Sequence, residues 1–389
     1  MNKRIWANTM AILCGCSMAA NASSLVVGQA NGLSTFEHDG SAYTNGAFSG
    51  IDPAIVDIAV VPGGMHVMSS TGLTYYDYDP VTDVFTRGGN FSWGSETGTC
   101  VAVAADGTVF AGGSSGFGPF TYTGSGYTSD AWFVNDTKDI AIDSNGHIHV
   151  CQSDGLSGWT YSAGALTLTA WDAGWPGGTI AIDSSNVLHV GKADGIGDVI
   201  CSGTNYVWGG HWAGTPSGIN AVEIDEANGQ IWAGQGDGVQ VVDASDYALL
   251  AYSAFAGGID AVCVDVVGEV HLGKSDGMMS VDIIGSSVIY DGTSWYAMTD
   301  VKAIEETVAN PIPPIPEIGD ITLVQLPGTN GLALTWFTGV DTYQYTLLGK
   351  DNLVIGNWTT NMTVSGVEGD LTVTTAVDQA QSFYHVIGE

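Results

Sequence analysis

Short apolar runs, each closed by a polar turn, repeat along most of the chain, and long helix-forming runs are absent. One eight-residue pattern recurs seven times without a gap. Its first copy is Val26-Val27-Gly28-Gln29-Ala30-Asn31-Gly32-Leu33, and later copies begin at His66, Phe110, His149, His189, Trp232 and His271. Each copy reads as a strand running into a hairpin turn, where Asn-Gly or Asp-Gly suits positive φ. A second element precedes every copy after the first: a short apolar strand ending in an acidic turn, as in Ile140-Ala141-Ile142-Asp143, Ile180-Ala181-Ile182-Asp183 and Val222-Glu223-Ile224-Asp225. We call the preceding element strand A and the repeated element strand B with its turn into strand C.

The closing glycines, Gly32, Gly72, Gly116, Gly155, Gly195, Gly238 and Gly277, recur at the spacing of a four-stranded propeller blade, about 40–45 residues. The expected fold is all-β: a seven-bladed β-propeller over 23–308. No strand A precedes the first copy, and a spare A-like strand remains near Val301-Lys302-Ala303-Ile304-Glu305. Pairing it with the first strands would close the ring through a split blade.

The best-formed copy runs Asn220-Ala221-Val222-Glu223-Ile224-Asp225, Gly229-Gln230-Ile231-Trp232-Ala233-Gly234 and Asp237-Gly238-Val239. It resembles the two-component-regulator type of propeller repeat, and the resemblance covers about residues 25 to 307. It departs from that pattern where a small Thr usually follows the strand B glycine. The resemblance implies the fold and leaves function open, because such propellers serve as sensors while related ones are enzymes and lectins.

Pro311, Pro313, Pro314 and Pro316 mark an extended linker over 309–319. Alternating runs then predict a small β-sandwich-like C-terminal domain over 320–389: Ile321–Val324, Leu332–Trp336, Tyr343–Leu347, Leu371–Val373 and Phe383–Val386. Trp336, Tyr345, Gly356-Asn357-Trp358-Thr359 and Phe383-Tyr384-His385-Val386 resemble a C-terminal β-domain of large secreted bacterial proteins, with His385 in place of Arg. That resemblance implies anchoring, sorting or adhesion.

The first 22 residues read as a signal peptide: Lys3 and Arg4, an apolar stretch from Ile5, and Ala20-Asn21-Ala22 as cleavage site. Leu13-Cys14-Gly15-Cys16 offers an alternative lipoprotein signal. No later segment is long and apolar enough to form a membrane-spanning helix. The expected location is outside the cytoplasm: secreted, at the cell surface, or in a periplasm.

Charge narrows the partners. Eight basic residues face 41 acidic ones, a formal charge of −33, and loss of Lys3 and Arg4 lowers it further. Arg87 is the sole arginine of the mature chain, so phosphate neutralisation and nucleic-acid binding are excluded. Such acidity suits high salt or Ca²⁺ outside the cell. Ca²⁺ is therefore the one cofactor left open, and none is required; the expected state is a monomer. Cys100, Cys151, Cys201 and Cys263 sit in strand-like runs without metal-type spacing, and their disulfide state is not fixed by spacing.

His66, His149, His189 and His271 share one repeat position. Equivalent positions in adjacent blades stand about 10 Å apart, whereas zinc needs ligands at about 2.0–2.1 Å, so interblade packing is expected and no metal site. Asp154, Asp194, Asp237 and Asp276 before the hairpin glycine, and Asp106, Asp143, Asp183, Asp225 and Asp265 at the A–B turn, read as turn residues.

The candidate ligand residues lie at the end of strand B, which holds Gln29, Ser69, Gly113, Gln152, Lys192, Gln235 and Lys274. This slot approaches the face carrying the B–C and D–A loops. Gln29, Gln152, Lys192, Gln235 and Lys274 form either a solvated rim or the lining of a polar ligand site such as one for sugar. Aromatics cluster before each strand A: Phe48, Trp93, Trp132, Trp171, Trp175, Trp208, Trp212, Tyr252, Phe255, Trp295 and Tyr296. Most should pack between blades, whereas Trp175 and Trp212 sit in Gly-rich loops and are candidates to stack on a ligand. No His-Glu-x-x-His, Gly-x-Ser-x-Gly or phosphate loop occurs, and no catalytic residue is assigned. Three readings follow: an exported module binding a glycan or other extracellular polymer, a structural or protein-interaction propeller of the cell surface, and a glycoside hydrolase or polysaccharide lyase.

Overall fold

The computed structural model describes residues 23–307 apart from 40, 41, 51, 53, 81, 95, 216, 266, 267 and the side chains of 291–294, together with the backbone of six strands between 322 and 388. The signal peptide expected at 1–22, its alternative lipidation site Cys16, and the linker expected at 309–319 lie outside these residues. Every regular element among the described residues is a strand, and none of them forms a helix able to cross a membrane.

Seven four-stranded antiparallel sheets form a seven-bladed propeller. Blade 2 illustrates the unit, with strands A to D at Ile55–Val61, Gly64–Ser69, Gly72–Asp79 and Val84–Ser92. Blade 1 is split. Its strands B to D, Ser23–Gln29, Gly32–His38 and Tyr43–Ser49, take strand A from Ala303–Glu306. The register is Leu25↔Glu306, Val26↔Glu305, Val27↔Ile304 and Gly28↔Ala303. The closure expected from the spare strand is the one observed.

Strand B is a continuous apolar run because both of its faces are covered: its residues in blades 3, 4 and 7 are buried without interruption. The core is distributed accordingly, with a hydrophobic cluster at each of the seven blade interfaces. The strand B glycine is set by this packing. A Cβ at Gly28, Gly112, Gly191, Gly234 or Gly273 would lie 2.4–2.8 Å from Ile55, Thr137, Ile219, Ile259 or Val301 of the following blade. Two interfaces reverse the arrangement. Met68 and Cys151 fill the glycine position, and the following blade supplies Gly98 and Gly177, whose Cβ would meet Met68 Sδ at 2.3 Å and Cys151 Sγ at 2.7 Å. Volume is conserved across the pair, as close packing requires. The four cysteines are free thiols; Cys100, Cys151 and Cys263 are buried.

The hairpin glycines differ from expectation in one respect. Only Gly32, Gly116 and Gly195 have φ in the left-handed range. What all seven share is a carbonyl 2.0–2.6 Å from where a Cβ would stand, from strand D in six blades, such as Tyr296 O at Gly277, and from Phe133, just beyond strand D of blade 3, at Gly116. Close approach of the neighbouring strand, more than turn dihedral, excludes a side chain.

The repeated histidines pair across interfaces. Nδ1 of His66, His149, His189 and His271 lies 2.8, 2.9, 2.5 and 2.6 Å from the hydroxyl of Tyr127, Tyr206, Tyr247 and Tyr43, each in the next blade around the ring. Burial pushes His66 and His149 down to about 4, so both are neutral at pH 7. The A–B turn aspartates cap their own loops: Asp143 Oδ1 accepts from Asn145 N and His147 N, and Asp183 Oδ1 from Ser185 N and Val187 N.

In the C-terminal region, the strands Thr322–Gln325, Gly331–Thr338 and Gly369–Ala376 form one three-stranded sheet. Thr359–Ser365, Gln344–Lys350 and Phe383–Gly388 form a second. The arrangement of these sheets as a sandwich lies outside the described residues.

Candidate functional site

The seven B strands deliver their last residue to the same place in each blade, and the side chains there take two paths. The glutamines turn inward, contrary to the expectation that they line the mouth. Gln29 Nε2 donates to Ser34 Oγ at 2.6 Å, and Gln235 Nε2 donates to Gln240 Oε1 at 3.1 Å; each partner is five residues on, in strand C. Gln152 is fully buried, and neither its amide nitrogen nor its amide oxygen has a protein partner. All three are buried, so they offer almost no surface to a ligand.

The lysines take the other path, because a longer stem can carry a charge past the strand end, to a half-buried position at Lys192 and a buried one at Lys274. In blade 5, strand B (Val187–Lys192) ends at Lys192, whose Nζ stands 5.1 Å from the ring centroids of both Trp175 and Trp212. The two indoles are 6.1 Å apart at 60°. The ammonium also donates to Gly174 O at 3.3 Å and lies 4.0 Å from Asp194 Oδ1. Three residues singled out from sequence thus converge on one feature: an open cleft of about 400 Å³ lined by Gly174, Trp175, Lys192, Asp194, Trp208 and Trp212.

Local sequence explains each wall. Trp175 comes from the loop after blade 4 and is 8% exposed, its ring edge over Gly197 where no Cβ intervenes. Trp212 lies over the hairpin glycine Gly195 and is 37% exposed. Trp208 is 58% exposed and enters because strand D of blade 5 (Asn205–Gly214) carries a wide bulge. Pairing jumps from Gly197↔Trp212 to Val199↔Trp208, leaving Gly209, Gly210 and His211 opposite Asp198. The buried Asp198 carboxylate secures the bulge by accepting from His211 N at 2.9 Å and from His211 Nδ1 at 2.7 Å. Trp208 belongs to the cleft as fully as Trp212; the Gly209-Gly210 pair was the sequence signal for it.

Lys274 repeats part of this in blade 7, with Nζ 5.1 Å from the Trp295 ring and 3.3 Å from Asp276 Oδ1. It is not part of the blade 5 cleft.

A second concave feature follows the ring axis. The A strands line a cavity of about 540 Å³ that includes Asp57, Asp139, Glu223 and Glu305. Sequence reasoning passed over these residues, although each is a carboxylate inside an apolar strand A run. Burial raises Asp57 to about 8, aided by Asp139, and raises Asp139 to about 6 and Glu223 to about 7. Their geometry is architectural. Strand A is the inner edge of its sheet, and edge amides need acceptors. Asp57 Oδ2 accepts from Val101 N of the next blade at 2.7 Å, and Asp139 Oδ2 accepts from Ile180 N at 2.8 Å and Thr179 Oγ1 at 3.0 Å.

Metal-ligating types gather once among the described residues, at His38, Glu269 and His271, whose ligand atoms lie within 4.8 Å of one another. His271 already uses Nδ1 toward Tyr43 and Nε2 toward Asp265 Oδ2 at 3.2 Å, and His38 Nδ1 meets Glu269 Oε2 at 2.5 Å. The His–Tyr contact is the one seen at three other interfaces.

No protein family profile matches the chain's sequence, and no curated protein matches it either. Solved structures do match in fold. A candidate 6-phosphogluconolactonase from Bacteroides fragilis aligns with TM-score 0.63 at 8% identity, over 75% of this chain and 99% of that one. A protein from Lactobacillus plantarum gives 0.59 at 11%, over 73% and 98%. The periplasmic gluconolactonase of Pseudomonas aeruginosa gives 0.55 at 10%, over 72% and 96%. At these identities the likeness is one of fold: the chain shares the propeller architecture of these proteins.

Proposed function

We propose that the protein is an exported carbohydrate-binding propeller that holds an extracellular polysaccharide in the blade 5 cleft. The observation that carries this reading is Lys192 Nζ centred 5.1 Å from two indole rings at the floor of an open cleft. Indole faces match the C–H faces of a pyranose ring. Lys192 donates to hydroxyls and Asp194 accepts from them, and their opposite charges make the site locally neutral. That balance, in a chain this acidic, favours a neutral sugar over a uronate. The signal peptide read at 1–22 would place the cleft outside the cytoplasm.

The test is a binding screen of the chain from Ser23 onward against neutral and acidic polysaccharides, with and without Ca²⁺, following binding and release of reducing ends. Neutral polymers should bind without cleavage, and Trp212→Ala should weaken binding about 30-fold, the cost of losing one strong contact residue. Binding that survives Trp212→Ala unchanged removes the cleft from the proposal. Cleavage would replace it with the hydrolase reading.

A further inference from the structure

Blade 7 reproduces the Lys–Asp–Trp part of the blade 5 site. Strand B ends in Lys192 in blade 5 and in Lys274 in blade 7; Asp194 and Asp276 follow two residues later, just before Gly195 and Gly277. Trp212 pairs with Gly197, and Trp295 with Met279, in each case two residues past the hairpin glycine. Each indole lies flat against that glycine, with Cζ2 2.6 Å from where a Cβ would be. In each blade the ammonium stands 5.1 Å from the indole centroid. The Lys–Asp contact is 4.0 Å in blade 5 and 3.3 Å in blade 7.

No other blade assembles this set. Blades 1, 4 and 6 place a buried glutamine in the slot. In blade 6 the aromatic, Tyr252, donates its hydroxyl to Asp237 Oδ2 at 3.3 Å, and Asp237 also accepts from Ser217 Oγ, so its acceptors are used within the protein. Two of the few basic residues of the propeller thus occupy one repeat position, in two blades, on one face of the ring.

We propose that blade 7 is a second binding site for the same neutral polysaccharide, so that one chain of the polymer is held at two points on the propeller face. The inference rests on the carbohydrate reading of blade 5. Both sites lie at the end of strand B, hence on the same face, with one blade between them. Sheets packed at about 10 Å place the two sites on the order of 20 Å apart. A repeating polymer can engage both, and the second contact is then intramolecular, which raises apparent affinity without any new kind of contact. Blade 7 is the weaker site. Lys274 is only 7% exposed, and the loop before blade 7 supplies the smaller ring of Phe255 where the loop before blade 5 supplies Trp175.

The test compares short and long probes by titration calorimetry. Cellotriose, mannotriose, xylotriose and laminaritriose are the short probes, and hydroxyethylcellulose, mannan, arabinoxylan and laminarin the long ones. For the sugar that binds, the wild-type protein should take two trisaccharides, and Trp295→Ala should take one. Trp295→Ala should also lose at least tenfold in affinity for the polymer while retaining the tighter trisaccharide site. Lys274→Gln restores the residue type of blades 1, 4 and 6, and should give the same result should Trp295→Ala fail to fold. One trisaccharide per wild-type chain, with polymer affinity unchanged in Lys274→Gln, overturns the second site and leaves the blade 5 reading standing. Binding of no probe overturns both.

Discussion

Blades 4 and 5 are neighbours with the same strand order and the same hairpin, yet their B strands end differently. Gln152 stays inside, with both ends of its amide unpartnered, while Lys192 reaches out between two indoles. One repeat position is thus a buried polar residue in one blade and the floor of a cleft in the next. The difference is reach. A glutamine amide ends level with strand C, where Ser34 and Gln240 meet it in blades 1 and 6. A lysine passes that level, and in blade 5 the ammonium settles where solvent and indole faces are both available. Equivalence in a repeat is equivalence of backbone, and side-chain length decides which copies become sites.

The contrast can be broken most severely at Trp175, the wall that blade 5 borrows from the loop before it. Trp175→Ala should cost about 3–5 kcal/mol in urea unfolding, since the indole is part of the buried cluster between blades 4 and 5. An unchanged midpoint would show that Trp175 is a surface residue, and the cleft would lose its fixed wall. Next comes the interface itself. Tyr206→Phe leaves His149 Nδ1 buried without its partner and should cost about 1–3 kcal/mol. Tyr161→Phe, at the interface where Phe110 replaces the histidine, removes only a hydroxyl that donates to Asp130 Oδ2 at 3.1 Å in an exposed position, and should stay within about 0.5 kcal/mol. Equal costs would mean that the His–Tyr contacts are incidental.

A smaller effect, of opposite sign, is expected at Gln152. Gln152→Leu removes an amide that burial penalises and should raise stability by up to about 1 kcal/mol, with polysaccharide binding unchanged. Lower stability would reveal a partner for the amide, and weaker binding would place blade 4 in the site.

The response to pH sums opposing titrations, of the buried histidines on one side and of the raised carboxylates Asp57, Asp139 and Glu223 on the other. His66 and His149 have folded-state values near 4 against about 6.5 unfolded, so the unfolded chain binds more protons between these limits. Their contribution is present above pH 6.5 and is lost as pH falls toward 4. Asp57 is raised to about 8 from 3.8, so the folded state holds the extra proton, and stability falls as pH rises from about 4 to 8. His149→Gln should flatten the first slope and Asp57→Asn the second, both read as midpoint against pH. A single slope unaffected by either substitution would assign the pH response elsewhere.

The propeller was legible because strand B is buried on both faces, which prints a continuous apolar run and a hairpin glycine at every turn of the repeat. Its closure was legible from a strand left over near residue 303. The convergence of Lys192, Trp175 and Trp212 was legible only as types in loops that share a face. The inward path of Gln29, Gln152 and Gln235 was not, since a glutamine and a lysine at a strand end look alike until the depth of the slot is known. Trp208 depends on a bulge that breaks the pairing register, and periodicity carries no trace of that. The His–Tyr contacts join residues far apart in the chain, such as His271 and Tyr43; Tyr43, Tyr127 and Tyr206 each stand eleven residues after the hairpin glycine of their blade, a regularity that reading the histidines alone passed over. The carboxylates of the axial cavity looked like interruptions of apolar strands, and the task of Asp57 and Asp139, capping edge amides of the next blade, exists only once adjacent blades pack.

The split blade has a consequence for biosynthesis. The partner of the first strand is made last, so strand B of blade 1 keeps an open edge until Ala303–Glu306 has left the ribosome. Most domains that emerge from the ribosome can fold progressively from their N-terminus. This one remains an open crescent, with strand B of blade 1 unpaired and the facing sides of blades 1 and 7 uncovered, until its final strand is added. A stop just before residue 303 therefore yields a chain with one open strand edge and two uncovered apolar faces rather than a smaller propeller. A circular permutant with new termini in another A–B loop would keep every sheet and only change which blade waits to be completed, whereas termini in a D–A loop would leave no blade split.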